Sequence, residues 1–163
     1  MNKKIVSFTK AKKILKELKI QGKKIVFTNG CFDLIHAGHV NYLNKAKKFG
    51  DILVIGLNSD LSIKKIKTEN RPIISQNNRA LLLSAFEFVD YIIIFNEETP
   101  IDLLKSLKPD VHIKGGDYKA INLPEYKIVK KYGGKIKILP FIKGCSSTSI
   151  INKILGKSEK VDL

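Results

Sequence analysis

Five short apolar runs, separated by segments of helical periodicity, restrict this chain more than any other feature. The runs are Lys24–Thr28 (KIVFT), Ile52–Leu57 (ILVIGL), Tyr91–Phe95 (YIIIF), Val111–Lys114 (VHIK) and Ile136–Leu139 (IKIL). Each is rich in β-branched residues and bounded by Gly, Asp, Asn or Pro, the marks of a strand. They are almost continuously apolar rather than alternating, which fits strands of a parallel sheet covered on both faces. Helical patterns lie between them: Val40–Phe49, Asn77–Val89, Ile101–Leu107 after the Thr99-Pro100 start, Pro124–Tyr132 stopped by Gly133-Gly134, and Ser146–Leu155. A further amphipathic helix, Thr9–Leu18, precedes the first strand. Strands alternating with helices predict a single α/β domain with a parallel sheet, whose ligands sit beyond the carboxyl ends of the strands. Lys64–Arg71 (KKIKTENR) has no periodicity and reads as a mobile loop on that same side.

The segment after the first strand, Thr28–His39, reads TNGCFDLIHAGH. Asn29-Gly30 makes a turn, and Gly30 allows backbone to approach a ligand closely. His36 and His39 fall on one face at the start of the next helix. Free backbone N–H groups and the positive dipole end attract phosphate there, and two imidazoles add donors. Such a cluster suits a phosphate that gains charge in a transition state. Structural histidines, or half of a metal site, are the competing readings. The lack of an acidic or cysteine partner at zinc-protease spacing, and Gly38 inside the pair, favour phosphate.

Two later segments carry related chemistry. Gly144–Ile151 (GCSSTSII) places Ser146, Ser147 and Thr148 at a helix start. One serine would suffice as a cap; three consecutive hydroxyls suit the β- and γ-phosphates of a nucleotide. Lys114-Gly115-Gly116-Asp117-Tyr118 follows the fourth strand, either as a plain glycine turn or as a floor under a nucleotide with Lys114 and Asp117 as polar contacts.

Charge and cysteines bear on the partners. The formal net charge is +15, yet only Arg71 and Arg79 among 30 basic residues are arginine, and the lysines are spread along the whole chain. Base and phosphate readout leans on the arginine fork, so no nucleic acid is expected as partner. No apolar run approaches the ~20 residues of a membrane helix, and Met1–Lys10 lacks the apolar core of a signal peptide. A cytoplasmic protein without a membrane partner is expected. Cys31 and Cys145 show no metal-binding spacing and read as two small, partly buried thiols.

TNGCFDLIHAGH resembles the GxFDxxHxGH motif of the cytidylyltransferase-like nucleotidyltransferases, and GCSSTSII resembles their second signature at the start of the last helix. Within that superfamily the chain is most similar to the D-glycero-β-D-manno-heptose 1-phosphate adenylyltransferase group, from about Gln21 to Leu155. The likeness includes Asn58–Asp60, Asn70-Arg71-Pro72, Arg79, Val89-Asp90 and KGGDY. Glycerol-3-phosphate cytidylyltransferases are also similar but usually carry Arg-Thr before the final glycine motif, where this chain has Phe141-Ile142-Lys143.

The resemblance implies a Rossmann-like parallel five-stranded sheet of order 3-2-1-4-5 with helices on both faces. Residues 1–20 would be an N-terminal helical extension, 21–156 the nucleotidyltransferase domain and 157–163 a flexible tail. The implied reaction joins AMP from ATP to heptose 1-phosphate and releases pyrophosphate, with Mg²⁺ bound to the substrate and no protein metal site. His36 and His39 would hold the α- and β-phosphates, and Ser146, Ser147 and Thr148 the terminal ones. Thr28, Asn29, Gly30 and Phe32 would meet the nucleotide, as would Lys114, Gly115 and Asp117. Lys64, Lys65, Lys67 and Arg79 would be candidates for the acceptor phosphate and the triphosphate, Lys64 and above all Arg79 as catalytic residues; Asp33 would be a structural partner. Related enzymes are often homodimers, and one is expected here.

Overall fold

The computed structural model describes residues 3–67, 70–117, 119–140 and 146–156. In chain order the elements are α1 (Phe8–Ile20), β1 (Ile25–Gly30), α2 (Ala37–Lys47), β2 (Ile52–Asn58), α3 (Asp60–Ile66), α4 (Gln76–Ser84), β3 (Tyr91–Phe95), α5 (Ile101–Leu107), β4 (Val111–Gly115), a 3₁₀ turn (Ala120–Asn122), α6 (Tyr126–Lys131), β5 (Lys135–Leu139) and α7 (Ser147–Ile154). The strands form one parallel sheet of order β3-β2-β1-β4-β5. The order reverses between β1 and β4, and the two strands are paired from Val26↔Val111 to Thr28↔Ile113.

Alternate strand residues point to opposite faces. Ile25, Phe27, Val54 and Ile93 join Leu15 of α1, Leu103, Leu104 and Leu107 of α5 and Val129 of α6 in one cluster. Val26, Leu53, Ile55, Leu57 and Ile92 join Leu43 and Ala46 of α2 and Ala80 and Leu83 of α4 in the other. Burial on both faces explains why the strand runs lack polar alternation. Each fully buried Leu or Ile contributes about 1.5–3 kcal/mol relative to exposure.

Helix α1 is capped by Ser7, whose hydroxyl accepts from the Lys10 amide at 3.3 Å. It packs Ala11 and Leu15 into the first cluster. Just before it, the Val6 amide donates to the Ile92 carbonyl at 3.0 Å and the Ile92 amide to the Lys4 carbonyl at 2.9 Å. The chain thereby covers the outer edge of β3, an edge otherwise open to pairing with another chain.

Three aspartates stitch the amino ends of the strands. Asp51 accepts from the Lys24 amide, Asp90 from the Leu53 amide and Asp110 from the Ile25 amide, each at 2.7 Å. Each carboxylate ties its own strand entry to the neighbouring strand, at the end of the sheet opposite to the carboxyl ends where ligands bind.

The structure departs from the sequence reading in places. Lys64–Arg71 is not a loop throughout: its first residues belong to α3, capped by Ser59 accepting from the Ser62 amide at 3.1 Å. Helix α4 stops at Ser84 rather than Val89 because the chain must turn into β3, and Phe86 and Phe88 stack at 5.3 Å in that turn. Helix α2 begins at Ala37, with His36 itself as the extended residue before the first turn. Tyr118, Phe141-Ile142-Lys143, Gly144, Cys145 and the predicted tail 157–163 lie outside the described residues. Among the described residues no helix is long and apolar enough to cross a membrane.

Candidate functional site

A cavity of about 830 Å³ opens at the carboxyl ends of β1 and β4. Its walls come from the β1–α2 segment (Asn29 to Asp33, with His36 and His39), from α3 and the segment after it (Ile63, Ile66, Lys67, Arg71), from the end of β4 (Lys114, Gly115) and from the start of α7 (Ser146 to Ser149). The volume lies in the range of nucleotide and cofactor sites.

The two helix tips meet here. His36 precedes the first turn of α2, and its ring stacks on that of His39 with centroids 3.9 Å apart. Phe32 packs on the other side of His39 at 5.2 Å. Phe32 adopts a left-handed φ of 46°, which turns its ring inward over Gly30; a Cβ on Gly30 would come within 3.0 Å of that ring. At α7, Ser146 caps the helix by accepting from the Ser149 amide at 2.9 Å. Ser147 donates to the Leu34 carbonyl at 3.1 Å. That bond ties the hydroxyl-rich tip to the loop that carries the histidine pair.

Burial lowers the pKa of His36, and that of His39 to about 4. For His39 the charge of His36 adds to the effect, while the Leu34 carbonyl opposes it. Both rings are neutral at pH 7 and present donors rather than fixed charge. The Nδ1 atoms of both are buried and have no hydrogen-bond partner among the described residues.

Other expected residues fall elsewhere. Thr28 is fully buried and does not line the cavity, because its hydroxyl pairs with the Tyr42 hydroxyl at 2.7 Å, which in turn donates to the Ile113 carbonyl at 3.1 Å. Thr28 thus links β1, α2 and β4. Asp117 is exposed and is not part of the cavity wall. Lys64 stands exposed on α3, away from the wall; the helix phase brings Ile63, Ile66 and Lys67 to it instead.

Arg79 requires the largest correction. It is 0% exposed and does not reach the cavity. Its guanidinium donates to the carbonyls of Ile74 (2.9 Å), Cys31 (2.5 Å) and Asn58 (2.8 Å) and to the Asp60 carboxylate (2.7 Å). Four of its five N–H donors serve the frame, so it holds the loop after β1 in place from behind. The arginine on the cavity wall is Arg71, paired with Asp33 at 2.6 Å. Asp33 also accepts from the Ile73 and Ile74 amides at 2.8 and 3.0 Å. Arg71 stood inside a quoted stretch of the sequence, but nothing local marked its role; the signal was an acid in the histidine motif needing a cationic partner.

Lys114 lies at the strand-order reversal and touches Asn29 Oδ1 at 3.3 Å and Glu125 Oε1 at 3.1 Å. Cys31 is a free thiol on the cavity wall, and burial pushes its pKa up, away from the thiolate a nucleophile needs. Among the described residues no group of three or more His, Cys, Asp or Glu is arranged to hold a metal ion. Among those residues the wall carries four cations, Lys45, Lys67, Arg71 and Lys114, against two carboxylates, Asp33 paired with Arg71 and Glu98, a balance that fits a polyanion.

Comparison with known proteins places the chain in a family. Residues 27–153 match the cytidylyltransferase-like family model. The bifunctional protein HldE of Geobacter sulfurreducens is 52% identical over 137 residues, covering 84% of this chain and 28% of the relative. HldE of Wolinella succinogenes is 49% identical over 152 residues, 93% of this chain and 31% of that protein. The chain thus spans under a third of the length of these curated relatives. The crystal structure of the lipopolysaccharide core biosynthesis protein from Thermoplasma volcanium is similar with a TM-score of 0.61 and 30% identity, over 76% of this chain and 100% of that one. Fold, paired histidines and a matched region from β1 to α7 lead to one conclusion: the chain belongs to the cytidylyltransferase-like family of nucleotidyltransferases.

Proposed function

We propose that the chain transfers AMP from ATP to D-glycero-β-D-manno-heptose 1-phosphate, giving ADP-heptose and pyrophosphate. The observation that carries the transfer chemistry is the stacked His36–His39 pair and the serine-rich α7 tip, both on one cavity. The similarity to HldE proteins supports the adenylyl donor and sugar phosphate acceptor.

In this reading an oxygen of the acceptor phosphate attacks the α-phosphorus of ATP in line. The Pα–O bond to the β-phosphate breaks, and the electron pair leaves with pyrophosphate. The nucleophile is already anionic, so positioning and charge stabilisation supply the rate. His36 and His39 donate to the α- and β-phosphate oxygens as charge builds. Thr148 and the free amides of α7 hold the terminal phosphates, while the Ser147 hydroxyl, whose proton goes to the Leu34 carbonyl, holds the tip in place. Asn29, Gly30, Phe32, Lys114 and Gly115 border the nucleoside and α-phosphate. Lys67 and Arg71 replace Lys64 and Arg79 as the groups for the acceptor phosphate, being the cations that α3 and the segment after it bring to the cavity. Mg²⁺ would come bound to the triphosphate and would neutralise part of its charge. The same reading takes the enzyme as a cytoplasmic homodimer acting on small molecules rather than on nucleic acid or membrane.

A pyrophosphate-release assay across four nucleoside triphosphates, with heptose 1-phosphate and glycerol 3-phosphate as acceptors, tests this. ATP with heptose 1-phosphate should exceed every other pair by at least tenfold. Preference for CTP with glycerol 3-phosphate would move the chain to the polyol-phosphate branch of the family.

A further inference from the structure

Among the described residues three charged side chains are buried: Asp33, Arg79 and Glu125. The first two brace the loop after β1. Glu125 does not: it lies 2% exposed just before α6, with Oε1 on the Lys114 ammonium and Oε2 buried without any hydrogen-bond partner. A carboxylate withdrawn from water with one oxygen unserved is costly. A neutral side chain of similar size would fill the space without that cost.

Lys114 explains the expense. Its ammonium has three donors on a flexible four-carbon stem, and ordering such a chain carries an entropy cost. Here Glu125 Oε1 takes one donor and Asn29 Oδ1 another, from opposite sides of the strand-order reversal. Lys114 itself lines the cavity, whereas Glu125 does not. The third donor is then left for whatever occupies the cavity.

We infer that Glu125 is a positioning residue, which fixes the Lys114 ammonium at the junction of β1 and β4 so that its remaining N–H meets a phosphate oxygen of the bound nucleotide. This rests on the reading of the cavity as a nucleoside triphosphate site. Glu125 touches no substrate and acts through Lys114 alone. Pre-ordering the lysine moves an entropy cost from binding to folding, so its effect falls on nucleotide affinity rather than on the chemical step.

The test uses the 163-residue chain and its variants Glu125→Gln, Lys114→Met and the double variant. Calorimetric titration with a non-hydrolysable ATP analogue gives Kd, pyrophosphate release gives kcat and KM, and thermal unfolding reports the fold. Each single variant should raise Kd and KM for the nucleotide about tenfold, with kcat changed less than threefold. The double variant should bind no more weakly than Lys114→Met, because the carboxylate has no second route to the ligand. Losses that multiply in the double variant, or a lowered Tm with unchanged Kd in Glu125→Gln, would overturn the assignment. So would wild-type Kd in Lys114→Met, a result that decides the matter even if Glu125→Gln fails to fold. A wild-type chain that binds no triphosphate would overturn the nucleotide reading itself, and this inference with it.

Discussion

Replacing Arg79 by Ala should damage the fold far more than a lost substrate contact would. The guanidinium is inaccessible and serves three backbone carbonyls and one carboxylate. A buried acceptor stripped of its donor costs about 1–3 kcal/mol. Three carbonyls bring the total to about 3–9 kcal/mol, and water entering the vacated space holds it near the lower end. Asp60 adds little, because its side chain is 33% exposed and can turn to solvent. The expected loss is about 4 kcal/mol, a large part of the ~5–15 kcal/mol that stabilises an ordinary domain. Arg79→Lys keeps the charge but serves fewer of the four acceptors and should cost about 2 kcal/mol. Urea unfolding followed by circular dichroism measures both, through a lower midpoint at unchanged slope. An Arg79→Ala protein within about 1 kcal/mol of wild type, yet more than tenfold weaker for nucleotide, would refute the frame role and return Arg79 to the substrate.

Other outcomes follow from the same geometry. His39→Ala should lower the rate of pyrophosphate release ~10²-fold, the usual cost of one transition-state donor, and wild-type turnover would remove its role. Gly30→Ala sets a Cβ 3.0 Å from the Phe32 ring that packs on His39; displacing the pair should cut kcat ~10-fold or more, measured at saturating substrates. Acid should unfold the protein by way of its histidines. His39 and His112 titrate in the fold at about 4 and about 3, chiefly through burial, against 6.5 in the open chain. The unfolded state therefore binds protons that the native state refuses. Stability is complete above about pH 6.5 and falls by about 1.4 kcal/mol per pH unit per histidine below it, until each folded value is reached. His112→Val should shift the acid-unfolding midpoint to lower pH, and an unmoved midpoint would refute that share.

The fold was legible because the strands announce themselves twice, by β-branched composition and by apolar continuity. Their order came only through the family resemblance, since five runs of similar character carry no label of which neighbours which. Helix α3 escaped notice because a seven-residue helix with Ile63 as its main buried apolar anchor leaves almost no periodic trace. At the site, the paired histidines and the serine-rich tip were readable as contiguous residues with a clear local geometry. Arg79 was misjudged for the opposite reason. Scarcity of arginine suggested a substrate contact, but its partners are carbonyls at Cys31, Asn58 and Ile74, and backbone acceptors leave no mark in sequence. Thr28 was misplaced likewise, its partner Tyr42 lying on the next helix. Glu125 gave no warning, because a lone acid before a helix looks like an ordinary surface residue.

The aspartate stitches at the amino ends of the sheet separate two jobs that many folds mix. Asp51, Asp90 and Asp110 hold the strand register from below, so the segments above can change sequence and length without unpicking the sheet. The cavity wall at the carboxyl ends, Lys67 and Arg71 included, is therefore free to vary while the register below stays fixed.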